Sequence, residues 1–156
     1  TIGLRYFNVF GPRQTPEGAY AAVIPVFIDG IINNNPPTIN GDGEQTRDFS
    51  YIDNVVEANI LSLFGESQNS YGEVYNVACG ETLSVNTLFS IIKDTISEYL
   101  GDELAIVAKY GPDRAGDIKD SLADLSKIKN DLGYIPKVFA KEGMIKTCKW
   151  HISNRS

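Results

Sequence analysis

Two arginines stand on glycine-bearing segments: Arg47, within Ile39-Asn40-Gly41-Asp42-Gly43-Glu44-Gln45-Thr46-Arg47-Asp48-Phe49, and Arg114, within Gly111-Pro112-Asp113-Arg114-Ala115-Gly116-Asp117. A planar guanidinium recognises phosphate or carboxylate through two parallel hydrogen bonds. Two of them, held from different loops, would neutralise and orient a diphosphate. Asp117 follows on the same segment as Arg114 and could accept from a hydroxyl or hold its own loop. The plainer alternative is a pair of unrelated surface arginines with an aspartate in a turn, and spacing alone leaves both open. Asn8 ends an apolar run, the place where open α/β sheets put ligands, and its amide can both donate and accept. It can equally be a turn former ahead of Gly11-Pro12, with Arg13 and Gln14 beyond.

The sequence carries no familiar reaction centre beside these groups. Gly41-x-Gly43 starts like a dinucleotide fingerprint, but Thr46 fills the third glycine's place and an extended run follows where that fingerprint needs a helix. No two glycines stand three apart, and no Tyr is followed four positions later by a Lys, so a Tyr-Lys proton-transfer pair is missing. His151 is the single histidine, without a plausible nucleophile for a Ser-His-Asp set. Cys79 and Cys148 have no zinc-type spacing and read as small core hydrophobes, which makes a reducing cytosol the default compartment. These residues describe an anion-binding lobe without its own reaction centre.

The elements that must position those groups can be read from periodicity. Residues 2–8 are β-branched and aromatic enough for a strand. Apolar residues at 23, 24, 27, 28, 31 and 32 give a helix that should start near Ile24, because Pro25 fits only a first turn. Thr38-Ile39 begins a short strand, Gly41 and Gly43 sit where positive φ would be tolerated, and residues 48–51 are extended. Asp53 is expected to cap a helix that buries Ile52, Val55, Val56, Ile60, Leu63 and Phe64. A strand over 73–77 follows, then a long helix from a Ser84 cap to Leu100 whose stripe is Val85, Leu88, Phe89, Ile92, Ile96 and Tyr99. Residues 104–109 alternate like a strand, Asp124 is placed to cap a helix ending at Gly133, and a last helix over 141–152 should carry Trp150 to the core.

At 156 residues the chain suits one domain or a large piece of a domain pair. Its net charge of -6 argues against a general nucleic-acid or anionic-membrane surface, while leaving room for a local cationic pocket. No apolar run approaches the ~20 residues of a membrane span, and no signal peptide is visible. Thr1 opens directly into a strand with neither a Met nor a leader, so the chain reads as an excised piece.

Four ordered runs carry a resemblance: Leu4-Arg5-Tyr6-Phe7-Asn8-Val9-Phe10-Gly11-Pro12-Arg13-Gln14, the segment from Gly41 to Phe49, Tyr75-Asn76-Val77, and Arg114-x-Gly116-Asp117. Together they resemble the carboxyl-terminal half of NAD-dependent nucleotide-sugar epimerases of the extended short-chain dehydrogenase/reductase superfamily. The run Gly18-Ala19-Tyr20-Ala21-Ala22-Val23-Ile24-Pro25 is most similar to the UDP-N-acetylglucosamine 4-epimerase branch. The resemblance implies an α/β fold: residues 1–156 as the last Rossmann strand plus a C-terminal substrate-binding lobe of short mixed strands and medium helices. The NAD loop and the catalytic Tyr and Lys would lie in an N-terminal part not present here, leaving this chain inactive alone. It implies that NAD takes a hydride from sugar C4 and returns it to the other face. Phe7 is then expected beside the nicotinamide and Asn8 beside the diphosphate of a UDP-sugar. Ala22, Val23 and Phe27 would line the uridine end, Thr38, Ile39 and Asn40 would contact uracil and ribose, Arg47 and Arg114 would hold the diphosphate, and Asp117 the ribose side. A cytoplasmic homodimer, joined through the missing part, is the implied assembly. A nucleotide-sugar 4,6-dehydratase or decarboxylase lobe, or a non-catalytic nucleotide-sugar-binding module, remain the alternatives.

Overall fold

The computed structural model describes residues 1–17, 22–65 and 70–154. Gly18, Ala19, Tyr20 and Ala21 of the branch-marking run lie outside the described residues. Along the chain come β1 (Gly3–Tyr6), β2 (Asn8–Phe10), α1 (Val23–Ile32), β3 (Thr38–Asn40), β4 (Thr46–Arg47), β5 (Phe49–Tyr51), α2 (Ile52–Phe64), β6 (Val74–Val77), β7 (Leu83–Ser84), α3 (Val85–Leu100), β8 (Lys109–Gly111), α4 (Ser126–Leu132) and α5 (Ala140–Ser153). The strands pair two by two: β1 on β6, β2 on β5 and β3 on β8 in parallel, and β4 on β7 antiparallel. Parallel partners need a crossover between them, and helices serve in the crossovers here, as when α1 lies between β2 and its partner β5.

Local chemistry explains most boundaries. Pro25 falls in the first turn of α1, where its missing N–H costs no helical bond. Ser84 caps α3, its Oγ accepting from the Thr87 amide at 3.1 Å, and Gly101 ends that helix at φ +73°. Gly133 closes α4 in the same left-handed way, at φ +67°. Asp124 is not the cap of α4, a position that Leu125 takes; it stands one residue earlier and accepts from the Ser126 amide at 2.8 Å, bracing the entry to the helix.

Several further expectations need correction. The run 2–8 is not one strand: it parts at Phe7 into β1, which pairs with β6, and β2, which starts at Asn8 and pairs with β5. Tyr99, expected in the inner stripe of α3, is exposed near the end of that helix, its hydroxyl 3.1 Å from Ser153 Oγ. Residues 104–108 do alternate, with Ile106 and Ala108 buried, but ladder pairing starts only at Lys109, because Pro37 O takes the Lys109 amide while Leu104 N turns back to Ser97 Oγ. Asp53 is not the cap of α2; the helix starts one residue earlier, and Asp53 lies in its first turn behind Tyr51. The apolar stripe of α2 does not turn inward as a whole. Val55, Ala58 and the polar Asn54 are buried, whereas Ile52, Val56, Ile60, Leu63 and Phe64 are exposed, the last two at 76% and 78%. Finally, Trp150 stays half-buried, edge-on to His151 at 5.0 Å, since the inner face of α5 is built from Ala140, Gly143, Met144, Thr147 and Cys148.

Two apolar clusters result. One gathers Phe10, Phe27, Ile28, Phe49, Tyr51, Leu88, Ile92, Ile96 and Met144 among α1, α3, α5, β2 and β5; the other gathers Val55, Tyr75, Val77, Leu125, Ile128 and Tyr134 around α2, β6 and α4. Buried polar groups join them. Asp48, fully buried, accepts from the amides of Cys79 and Gly80, each at 2.9 Å, and of Ala123 at 3.4 Å. Asn54 accepts from Lys137 N and Val138 N and donates to Val138 O at 2.6 Å. Burial pushes the Asp48 carboxyl above its ordinary range, against the pull of its three amide donors. Replacing Asp48 with Ala strands those amides, and a loss of about 3 kcal/mol is expected in urea unfolding; a variant that unfolds like the parent would show that water satisfies them.

Candidate functional site

The arginine segments meet because the backbone zips them together. Thr46 N donates to Lys119 O at 2.8 Å, Ser121 N to Thr46 O at 3.2 Å, and Thr46 Oγ1 to Asp120 Oδ1 at 2.9 Å. β4 is pinned on its other side by β7. Arg47 therefore emerges from a strand bonded on both edges, while Arg114 and Asp117 share a tight turn closed by Asp117 N on Arg114 O at 3.0 Å. Gly116 takes φ +77° in that turn.

A cleft of about 180 Å³ opens where these segments face α1 and β3. Asn8, Val23, Phe27, Thr38, Ile39, Asn40, Arg47, Arg114 and Asp117 all line it. Phe7 and Ala22, the other residues singled out from the sequence, do not. Phe7 is half-buried against the second cluster, its amide donating to Val77 O at 3.1 Å. Ala22 caps α1 through its carbonyl, which accepts from Val26 N. Three further residues line the cleft: Gln45, Phe49 and Val85. Gln45 and Phe49 lie inside the motif already quoted; nothing in the sequence flags Val85, a first-turn residue of α3 that reads only as core.

The chemistry divides along the cleft. Val23, Phe27, Ile39, Phe49 and Val85 give an apolar wall suited to a flat ring. Arg47 supplies the charge: its Nη1 donates to Thr46 O at 2.7 Å and Lys119 O at 3.4 Å, and its Nη2 to Asp117 Oδ1. Asn8 Nδ2 donates to Asp48 O at 3.2 Å. A larger cavity of about 410 Å³ adjoins, sharing Asn40, Gln45, Arg114 and Asp117 and adding Asp42, Asp113 and Lys119. The thiols are poor nucleophiles: burial raises Cys79 to about 11 and Cys148 to about 12. Among the described residues, no helix is long and apolar enough to cross a membrane and no cluster of His, Cys, Asp or Glu could hold a metal ion.

The cleft brings apolar side chains and two arginines together on an α/β fold of the Rossmann type. Residues 1–78 match the profile of the NAD dependent epimerase/dehydratase family. The chain belongs to that family. It is 47% identical to the UDP-N-acetylglucosamine 4-epimerase of Methanobrevibacter ruminantium M1, solved with UDP-N-acetylmuramic acid, with a TM-score of 0.82 over 96% of this chain and 45% of that one. The UDP-glucose 4-epimerase of Thermotoga maritima, solved with UDP-glucose, is 36% identical, with a TM-score of 0.85 over 98% of this chain and 46% of that one. A human dTDP-D-glucose 4,6-dehydratase is 37% identical over 96% of this chain and 41% of its own length. The chain thus spans less than half the length of these relatives.

The turn leading to Arg47 is held by Asn86, whose Nδ2 donates to Asp42 O at 2.9 Å and Glu44 Oε1 at 2.6 Å. A Cβ on Gly43, at φ +76°, would collide with Asn86 Oδ1. Gly43→Ala should therefore cost about 1–3 kcal/mol and loosen residues 41–44 first, visible as faster amide hydrogen exchange there than elsewhere. Unchanged exchange would mean the turn does not depend on this approach.

Proposed function

We propose that this chain is the substrate-binding portion of an NAD-dependent UDP-sugar 4-epimerase, acting on UDP-N-acetylglucosamine/UDP-N-acetylgalactosamine or UDP-glucose/UDP-galactose. The observation that carries the reading is that Arg47 and Arg114, far apart in sequence, line the same small cleft as Val23, Phe27, Thr38, Ile39 and Asn40. In this reading Val23 and Phe27 pack on the uracil ring, and the polar groups of Thr38 and Asn40 meet the base and ribose. Arg47, Arg114 and Asn8 hold the diphosphate, and Asp117 accepts from a ribose hydroxyl. Burying the nucleotide this way orients the sugar without touching its reacting carbon, which converts binding energy into position.

NAD, when bound, accepts the C4 hydride and gives it back. Of this chain's residues, Phe7, half-buried at the end of β1 and next to cleft-lining Asn8, is the one that would lie beside the nicotinamide. Ala22 completes the uridine end from the cap of α1. The residues beyond this chain would supply the Tyr-Lys pair, the rest of the cofactor site and a homodimer contact, in a cytoplasmic enzyme. A 4,6-dehydratase is the second reading, favoured by the human relative described above. Product analysis separates the two: an epimerase returns the C4 epimer and a dehydratase a 4-keto-6-deoxy sugar.

Two expectations follow from the assignment. These 156 residues alone should bind UDP without turning over a UDP-sugar in the presence of NAD; an accumulating C4 epimer above a heat-killed control would overturn that. In the full-length protein each charge-assisted bond from Arg47 or Arg114 is worth about 1.5–3 kcal/mol. Either Ala variant should then weaken UDP about tenfold to a hundredfold in calorimetric titration, the double variant should be non-additive, and Lys should restore only part. Variants that bind UDP like the parent would place both arginines outside the site.

A further inference from the structure

Arg47 enters the cleft already engaged. Its side chain is only 16% exposed, two of its donor contacts go to the backbone carbonyls of Thr46 and Lys119, and a third goes to the Asp117 carboxylate, itself 35% exposed. The Arg47–Asp117 pair is electrically neutral, so the guanidinium offers an arriving anion its two remaining N–H groups and little net charge. The adjoining cavity is lined by both signs of charge as well, Asp42 and Asp113 with Arg114 and Lys119. A cleft built only to capture phosphate would not match its cations with carboxylates. An anion drawing close to Arg47 also approaches Asp117, and that cost is offset only if the ligand brings hydrogen-bond donors for the carboxylate at the same time.

We propose that Asp117 is a specificity residue that discriminates against bare phosphates: by neutralising Arg47 it makes productive binding depend on a diphosphate that carries hydroxyl groups. This rests on the reading of Arg47 as a diphosphate ligand. A nucleoside diphosphate satisfies Asp117 with its sugar hydroxyls while Arg47 takes the phosphate. Inorganic pyrophosphate has the charge and no such donors, so it meets Asp117 as a repulsive neighbour.

The test compares UDP with pyrophosphate on the full-length protein by calorimetric titration, for the parent, Asp117→Asn, Arg47→Ala and the double variant. Asn keeps the shape of Asp and removes the charge, and a thermal melt checks that each variant is folded. Asp117→Asn is expected to tighten pyrophosphate about tenfold, from the loss of one unit charge a few ångströms away, while UDP binding stays level or weakens. The preference for UDP over pyrophosphate should collapse, and the gain should vanish in the double variant because it acts through Arg47. No change in pyrophosphate affinity, or an equal gain for both ligands, would overturn the proposal while Arg47→Ala still weakened UDP. A parent that binds neither ligand would overturn the proposal and the UDP-sugar reading together.

Discussion

The carboxylate of Asp48 is the contact on which the arrangement depends. It is buried, it follows Arg47 directly, and its oxygens gather amides from the turn after β6 and from the segment leading to α4. Its own carbonyl accepts from both the amide and the side chain of Asn8. One residue thus fixes the relative placement of Asn8, Arg47 and the strand end at Cys79. Burying a carboxylate is costly without donors, and the three amides are its compensation. A hydrophobic residue of similar size could fill the space but would leave those amides unmet, so the position couples packing to polarity.

Around that point the strands contribute less cohesion than their number suggests. They pair only two by two, and isolated two-stranded pieces are marginal in water. Cohesion comes from α1, α3 and α5 packing together, and from side chains that reach backbone across long stretches of sequence. Asn54 ties α2 to residues 137 and 138, Tyr134 donates to Ala78 O, and Glu81 accepts from Ala140 N at the start of α5. Gly143 lets α5 come close: a Cβ there would fall within 2.9 Å of Phe10 and Tyr51. Such contacts make loops rigid enough to present charged groups without placing them on a helix or a central strand.

This explains what could be read in the sequence and what could not. α1 and α3 were legible because caps, prolines and glycines act locally, and Pro25, Ser84 and Gly101 behave as their chemistry dictates. The cleft was legible through its motifs: Arg47, Arg114, Asp117 and β3 do come together. The role of Asp48 was hidden, since a buried carboxylate and an exposed one look alike in a sequence, and its partners lie 31 to 75 residues away. The same holds for Asn54, whose amide sits inside while Ile52, Val56, Ile60, Leu63 and Phe64 of its own helix lie outside. Periodicity identified the stripe Ile52, Val56, Ile60 correctly as a stripe, but periodicity reports spacing and not which neighbour covers it.

The consequence for the cleft is a division of labour between a fixed and an adjustable side. Arg47 stands on a strand braced by β7 and by residues 119–121, next to the anchored Asp48, so its guanidinium has little freedom to relocate. Arg114 and Asp117 stand on an exposed turn closed by one backbone bond, with Gly116 at positive φ inside it. In the proposed reading a ligand would meet Arg47 on its braced strand and Asp117 on the exposed turn. In that reading the Arg47–Asp117 pair matters more than either charge alone, because a ligand that engages the guanidinium must also come to terms with its carboxylate partner. A site with both arginines on mobile turns would bind any diphosphate it could wrap. With one of them braced and paired to its own carboxylate, the same charges would, in the proposed reading, also choose among diphosphates.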